Sequence, residues 1–235
     1  MSDAALRIAE NLARVRERIA RAARESGRTV EAVKLVAVTK YVGLPECAKL
    51  IAAGCRDLGE SRPQAIWEKA PALQGDAVRW HVIGHLQRNK LRRTLPWASL
   101  VHSADSQRLI AALHNEAVSL GRSVPILLEV NISGDREKHG FAPEQLEPLL
   151  PKLAHYPSAS VQGLMTMAAR EGGRDAAQRN FAALRALRDR LQSNCPAHLR
   201  LDELSMGMSG DYEIAIREGA TIVRIGSALF EGAGG

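Results

Sequence analysis

The chain has 235 residues, of which 46% are hydrophobic and 25% charged, fractions that are typical of globular proteins and exclude disordered or fibrous ones. Because α/β barrels often use roughly 200 to 250 residues as one domain, we expect a single domain over residues 1–235. No apolar run approaches the roughly 20 residues that cross a bilayer, and the N-terminal segment has charges throughout with no apolar signal core. The sequence therefore predicts a cytoplasmic protein that makes no membrane contact.

The net charge of +6 comes from 25 Arg and 7 Lys against 26 acidic residues, which fits either an anionic partner or an Arg-rich surface. The charges are spread along the chain and only 4% of the residues are aromatic, unlike a nucleic-acid platform with interleaved aromatic and basic residues. We therefore do not expect nucleic acid as a partner. Cys47, Cys55 and Cys195 are odd in number and lack CxxC spacing, which predicts free thiols.

The predicted elements begin with an amphipathic helix from about Asp3 to Glu25, where apolar residues recur at intervals of three and four. Short apolar runs then alternate with helical segments along the rest of the chain. The strand candidates are Val33–Val38, Asp57–Gly59, Val78–Ile83, Ser99–His102, Pro125–Asn131, Ser160–Gly163, Leu201–Leu204 and Thr221–Ile225. The helices between them are predicted at Pro45–Ala53, from Pro63, from Gln87, at Gln107–Leu120, from Pro143, from about Asp175 to Gln192, and at Ser209–Glu218.

Strands that are separated by helices form a parallel sheet, because the chain must cross back over one face each time. Eight such units with no leftover strand favour a closed barrel over an open doubly wound sheet. The sequence therefore predicts an α/β fold, a single (β/α)8 barrel of the TIM type with an extra N-terminal helix. In such barrels the loops at the C-terminal ends of the strands build the active face.

Polar residues follow three of the predicted strands. Lys40 ends the first strand in VKLVAVTK, where taken alone it is a solvated cap. The seventh strand leads into the small-residue stretch SMGMSGD, which contains Ser209, and the eighth ends in Arg224, Ile225, Gly226 and Ser227. Taken separately, Ser209 fits an N-cap and Gly226 a turn. Together, the two loops suit a phosphate, and the amine of Lys40 adds the chemistry that captures an aldehyde.

These stretches resemble the pyridoxal-phosphate homeostasis family, whose barrel looks like the N-terminal domain of alanine racemase. The matching blocks cover nearly the whole chain: LVAVTK, WHVIGHLQRNK, VHSADS, EVNISGDREKHGF, GLMTM, LSMGMSGDYEIAI and VRIGSALF. The resemblance implies pyridoxal 5′-phosphate (PLP) as the cofactor, bound as a Schiff base to Lys40. It also implies phosphate contacts from Ser209, Gly226 and Ser227, and a hydrogen bond from Arg224 to the pyridine nitrogen.

One block departs from the family pattern after the second strand. The family usually has Gly-Glu-Asn-Arg, whereas residues 59–62 of this chain are Gly-Glu-Ser-Arg. A cofactor contact is therefore carried over to Ser61 only as a candidate. Because Pro63 follows, Ser61 also fits an N-cap with proline in the first helical turn.

Two further candidates, His85 and Asn131, lie at predicted strand ends. Their side chains either face the cofactor or pack and form hydrogen bonds within the loops. His81 and His85 are four residues apart, but Gly84 interrupts them in a strand-to-loop segment. The helical geometry for two metal ligands is missing, so we expect no metal site. The methionines of GLMTM and SMGMS are interpreted as core residues that fill gaps.

Three functions remain open at this point: a carrier that stores PLP and takes part in PLP and amino-acid homeostasis, a PLP-dependent racemase, and a barrel that binds another phosphorylated metabolite. A racemase needs a base on each face of its substrate. In the racemase that this chain resembles, an additional domain supplies the second base. The chain ends at Gly235 soon after the eighth strand, so we expect no such domain and no efficient catalysis.

The expected partners of the carrier are PLP, free amino acids and, transiently, PLP enzymes that lack their cofactor; we expect a monomer. Arg224 supports the carrier as well, because a guanidinium donates hydrogen bonds and keeps its proton. A pyridine ring beside it stays neutral and is a weak electron sink. Racemases tolerate this arrangement, so Arg224 restrains turnover without excluding it.

Overall fold

A computed structural model of the protein describes residues 2–135, 137–169, 171–196 and 199–233. Eight parallel strands follow one another in chain order around a closed barrel, and β1 completes the closure by pairing with β8. The strands are β1 (Lys34–Val38), β2 (Asp57–Glu60), β3 (Arg79–Val82), β4 (Ala98–Ala104), β5 (Val124–Glu129), β6 (Ala159–Met165), β7 (Glu203–Ser205) and β8 (Ile222–Ile225). The predicted (β/α)8 barrel is confirmed.

Helices surround the barrel. They are α1 (Asp3–Glu25), α2 (Leu44–Ala52), α3 (Pro63–Ala72), α4 (Leu91–Thr94), α5 (Gln107–Ser119), α6 (Leu146–Leu149), α7 (Gly173–Ser193), α8 (Tyr212–Arg217) and α9 (Ser227–Phe230). The extra N-terminal helix α1 buries Ile8, Leu12, Val15 and Ile19 and packs against α2, α8 and α9. Among the described residues, none of the helices combines the length and the apolar character that a bilayer span requires.

The barrel interior contains a small apolar cluster of its own, formed by Val36, Leu100, Leu127, Met165 and Ile222. A larger apolar cluster fills the layer between the barrel and the helices. Because side chains alternate along a strand, the residues two positions beyond members of the inner cluster also face the barrel axis. This alternation places Val38 of β1 and Arg224 of β8 on the inner face, next to the mouth of the barrel.

The C-terminal boundary of β5 differs from the prediction, because the strand ends at Glu129 and not at Asn131. Asn131 N–H donates to the carbonyl of Phe141 at 2.9 Å, and Phe141 N–H donates to the carbonyl of Glu129 at 2.8 Å. The chain therefore leaves the barrel and pairs with its own following loop. Asn131 lies in that loop.

The helix predicted from Ser209 begins three residues later, at Tyr212. The carboxylate of Asp211 accepts a hydrogen bond from Met208 N–H at 2.6 Å, which stabilises a turn in place of the first helical residues. Ser209 thus lies in a loop. The four-residue helix α9 was not predicted, since it is too short for an apolar repeat to show.

Candidate functional site

A cavity of about 510 Å³ opens at the C-terminal ends of the strands. The loops after β1, β2, β3, β6, β7 and β8 contribute to its lining. Six of the eight predicted site residues line it: Lys40, Ser61, Ser209, Arg224, Gly226 and Ser227. The fold thus brings together residues from both ends of the chain.

Lys40 enters the cavity from the turn after β1. It follows Val36 and Val38 at intervals of two, and Val38 lines the cavity beside it. The Lys40 side chain is exposed, and its Nζ lies 4.7 Å from the ring centroid of Tyr41. An amine in this position is reachable both from the cavity and from solvent.

The loops after β7 and β8 form one small-residue wall of the cavity. Gly226 N–H donates to Ser209 Oγ at 3.3 Å, which ties the two loops together. Gly207 has φ +92°, and a Cβ there would lie 2.6 Å from the Cβ of Ala215, so this turn requires glycine. The amides of Ser209 and Gly210 have no acceptor within the described part of the chain. These two amides, together with the Ser209 and Ser227 hydroxyls as further donors, suit an anion.

Arg224 lies on the inner face of β8 and is only 4% exposed. Its guanidinium donates to the hydroxyl of Ser205 and, at 2.9 Å, to the carbonyl of Thr166. Burial lowers the pKa of Arg224 to about 10, although the negative charges of Glu129 and Asp211 oppose that shift. Arg224 therefore carries a positive charge into the cavity at neutral pH.

Ser61 lines the cavity from the loop before α3, and its N-cap interpretation is wrong. The N-cap of α3 is Arg62, which makes no side-chain capping hydrogen bond. The Ser61 main chain packs directly on Gly84, where any Cβ would clash with the Ser61 carbonyl oxygen. A glycine at position 84 thus allows the loops after β2 and β3 to touch.

His85 and Asn131 lie outside this cavity. His85 Nδ1 is 2.9 Å from Asp105 Oδ2, and the ring stacks on His139 with 4.3 Å between centroids. Atoms of these three side chains that are able to bind a metal lie within 4.8 Å of one another. Asn131 donates from Nδ2 to the main-chain oxygen of Asp135 at 2.8 Å. For Asn131 the structure thus shows the loop hydrogen bond that the sequence left as an alternative.

Apolar side chains complete the cavity wall, and sequence reasoning missed them. Met165 and Met206 are buried core residues as predicted, but Met167 and Met208 line the cavity. The alternation in GLMTM carried a usable signal, since Met167 lies two positions beyond Met165, a member of the inner cluster. The other apolar lining residues are Val38, Val42, Ile83 and Phe230.

Comparison with known proteins identifies the family. The model for "Alanine racemase, N-terminal domain" matches residues 7–233. The pyridoxal phosphate homeostasis protein of Aquifex aeolicus is 38% identical over 221 residues, which cover 94% of this chain and 96% of that protein. The protein of the same name from Pseudomonas aeruginosa is 40% identical over 223 residues, covering 95% and 94%.

A solved structure gives the same result. PipY of Synechococcus elongatus, determined with PLP bound, is 35% identical to this chain and superposes with a TM-score of 0.83, covering 95% of this chain and 99% of that one. The chain therefore belongs to the family of pyridoxal phosphate homeostasis proteins, which share the barrel of the alanine racemase N-terminal domain.

Proposed function

We propose that this protein binds PLP in the Lys40 cavity as a Schiff base and acts as a carrier in PLP and amino-acid homeostasis. The observation that carries the proposal is that one cavity combines the amine of Lys40, the amides and hydroxyls of two small-residue loops, and the Arg224 guanidinium. PLP presents an aldehyde, a phosphate and a pyridine nitrogen, so each of these groups has a matching feature of the ligand. The PLP-bound structure of PipY supports the same ligand.

The residues of the cavity fit the chemistry of PLP. In the proposed complex, the Ser209 and Gly210 amides and the Ser209 and Ser227 hydroxyls would hold the phosphate; their common position at the cavity wall supports this assignment. The side chains of Val38, Met208 and Phe230 offer apolar surface to a planar ring. When bound, the cofactor supplies an aldehyde carbon that condenses reversibly with amines.

Arg224 restricts the chemistry that such a site performs. Its pKa, lowered to about 10 by burial, still keeps the guanidinium protonated at neutral pH. In the proposed complex it donates to the ring nitrogen, which leaves the ring neutral. A neutral ring is a weak electron sink, so exchange of amines is favoured over carbanion chemistry.

The arrangement of acid–base groups also favours a carrier over a racemase. Among the described residues that line the cavity, the titratable ones are Lys40, Tyr41 and Arg224. Lys40 Nζ and the Tyr41 ring lie beside each other at 4.7 Å, whereas a racemase requires bases on opposite faces of its substrate. Free amino acids, and enzymes that lack their PLP, are the proposed recipients of the cofactor.

Borohydride reduction of the reconstituted protein tests this proposal. Reduction fixes a Schiff base as a stable adduct, and peptide mass mapping then locates the modified lysine. We expect the adduct on Lys40 and its loss in Lys40→Ala. The matched control is Lys34→Ala, because Lys34 lies at the other end of the same strand. An adduct on another lysine, or phosphate-dependent binding without any adduct, contradicts the proposal; the second result favours another phosphorylated metabolite.

A further inference from the structure

A continuous chain of buried polar side chains leads away from Arg224 through the barrel interior. Arg224 contacts Ser205 Oγ, and Ser205 Oγ lies 2.8 Å from His102 Nδ1. His102 Nε2 lies 2.9 Å from His81 Nδ1, and His81 Nε2 lies 3.0 Å from Asp57 Oδ1. The members belong to β8, β7, β4, β3 and β2, and each is less than a tenth exposed.

The direction of every hydrogen bond in this chain follows from its two ends. A guanidinium only donates, so Ser205 Oγ accepts from Arg224. A carboxylate only accepts, so a neutral His81 presents Nε2–H to Asp57, His81 Nδ1 accepts from His102, and His102 Nδ1 is left to accept the proton of Ser205. Both rings therefore carry their proton on Nε2.

These hydrogen-bond directions require neutral rings at His81 and His102 and an ionised carboxylate at Asp57, and the surroundings of each group favour that charge state. Burial lowers the pKa of both His81 and His102 below the ordinary value, so both rings are neutral at pH 7. Burial alone would raise the pKa of Asp57, but hydrogen bonds from Arg79 and His81 outweigh it and hold that pKa below its usual range. The row of buried polar side chains therefore links the Arg224 guanidinium to the Asp57 carboxylate through neutral groups.

We propose that Ser205, His102, His81 and Asp57 are positioning residues for Arg224. The carboxylate fixes the tautomer of His81, which fixes that of His102, and His102 keeps the Ser205 oxygen turned toward the guanidinium as an acceptor. Arg224 is thereby held in one orientation, with its remaining N–H groups available to the cavity. The functional consequence of this inference rests on the proposed function, in which the cofactor ring lies beside Arg224.

A first experiment needs no cofactor. Nitrogen NMR of the protein labelled in histidine and arginine reports the two ring tautomers and the rotation of the Arg224 guanidinium. We expect Nε2–H tautomers for His81 and His102, and slow guanidinium rotation. Ser205→Ala and Asp57→Asn are each expected to speed that rotation, although Asp57 lies four hydrogen bonds away from Arg224.

A second experiment measures bound PLP in the same variants through its dissociation constant and absorption maximum. We expect Ser205→Ala to weaken binding roughly three- to tenfold, the size of one hydrogen bond, and to shift the absorption maximum. Asp57→Asn is expected to shift it in the same direction. His114→Gln is the matched control, because His114 accepts one hydrogen bond, from Ser158 N–H, on the outer helix α5; it should leave the maximum unchanged.

The two experiments separate the two proposals. If the protein binds no PLP, the proposed function fails, and the NMR of the unliganded protein still decides the positioning role. An Nδ1–H tautomer of His102, or guanidinium rotation that is the same in all variants, overturns the inference. Loss of thermal stability in Ser205→Ala and Asp57→Asn with an unchanged absorption maximum overturns it as well, because that pattern indicates a merely structural chain.

Discussion

The ammonium group of Lys69 lies 2.6 Å from Glu60 Oε1 in a buried ion pair beside the turn that carries Lys40. Lys69 also donates to the carbonyls of Thr39 and Val42, at 2.9 and 2.8 Å. These two carbonyls bracket the turn in sequence. Lys69 of helix α3 therefore holds the backbone of the turn that carries Lys40, although Lys69 itself does not line the cavity.

Lys69→Met is expected to destabilise the protein strongly. The change leaves the Glu60 carboxylate buried without its ammonium partner, with the Thr39 hydroxyl as the remaining donor at 2.7 Å. Breaking a buried ion pair in this way costs about 3 to 5 kcal/mol in the free energy of unfolding. Lys49→Met is the matched control, because Lys49 pairs with Glu46 at 3.5 Å on the partly exposed surface of α2. That control should cost less than about 1 kcal/mol. Urea denaturation measures both, and equal losses would show that the Lys69 pair is no stronger than a surface pair.

Glu129 is expected to make stability depend on pH. Burial, together with the charge of Asp105, raises the pKa of Glu129 to about 7, against the opposing influence of Arg224 and His85. A carboxyl whose pKa is higher in the folded than in the unfolded state binds more protons when folded. Its contribution to stability is therefore present at low pH and is lost as the pH rises through about 7.

Glu129→Gln tests that dependence, because the amide does not titrate. Relative to the wild type, the variant should gain stability between pH 5 and pH 8, by at most about 3 kcal/mol for a pKa shift of this size. Urea denaturation of both proteins at the two pH values gives the difference. A difference that stays constant, or one of opposite sign, contradicts the raised pKa.

Ser209→Ala and Arg224→Ala are expected to act differently on bound PLP. Ser209→Ala removes a hydroxyl that is proposed to contact the phosphate and that also accepts the hydrogen bond of Gly226 N–H. The dissociation constant of PLP should therefore rise roughly tenfold or somewhat more. Arg224→Ala should shift the absorption spectrum as well as the affinity. Equilibrium binding and absorption spectra measure both effects. Ser119→Ala, an exposed change on α5, is the control, and unchanged binding in Ser209→Ala would place the phosphate elsewhere.

Strand-end positions explain why the sequence grouped six residues that line one cavity. In a parallel barrel the C-terminal ends of all strands meet at one mouth, which is why Lys40, Ser209 and Arg224 come together although they are far apart in sequence. Asn131 shows where that rule stops. The loop around it pairs with its own strand end through Phe141, and no apolar repeat signals such a pairing.

The buried polar chain behind Arg224 was beyond prediction for a different reason. His102 and Ser205 are 103 residues apart, and their contact depends on which side chains of β4 and β7 face inward at the same height. Register shifts occur in β4 against both of its neighbours, β3 and β5. A shift of one residue exchanges inner and outer faces, so the sequence alone did not indicate that His81 and His102 share the barrel interior.

The PLP-loaded protein is expected to exchange its cofactor with free amino acids but to racemise them very slowly. Exchange requires only that an incoming amine reach the Schiff base at Lys40, and the exposed position of that side chain permits it. Racemisation also requires a base on each face of the substrate and a stabilised carbanion. Tyr41 lies beside Lys40 and not opposite to it, and Arg224 is proposed to keep the ring neutral.

One missing acid–base group costs a rate factor on the order of a hundred to ten thousand, so turnover should fall far below the roughly ten per second of a typical enzyme. The measurement is incubation of the PLP-loaded protein with L-alanine and other single-enantiomer amino acids, in which chirality and the Schiff-base spectrum are followed together. Tyr41→Phe serves as the comparison, because it removes the neighbouring hydroxyl and keeps the ring. Rapid loss of chirality that Tyr41→Phe abolishes would identify Tyr41 as a second base and replace the carrier with a racemase.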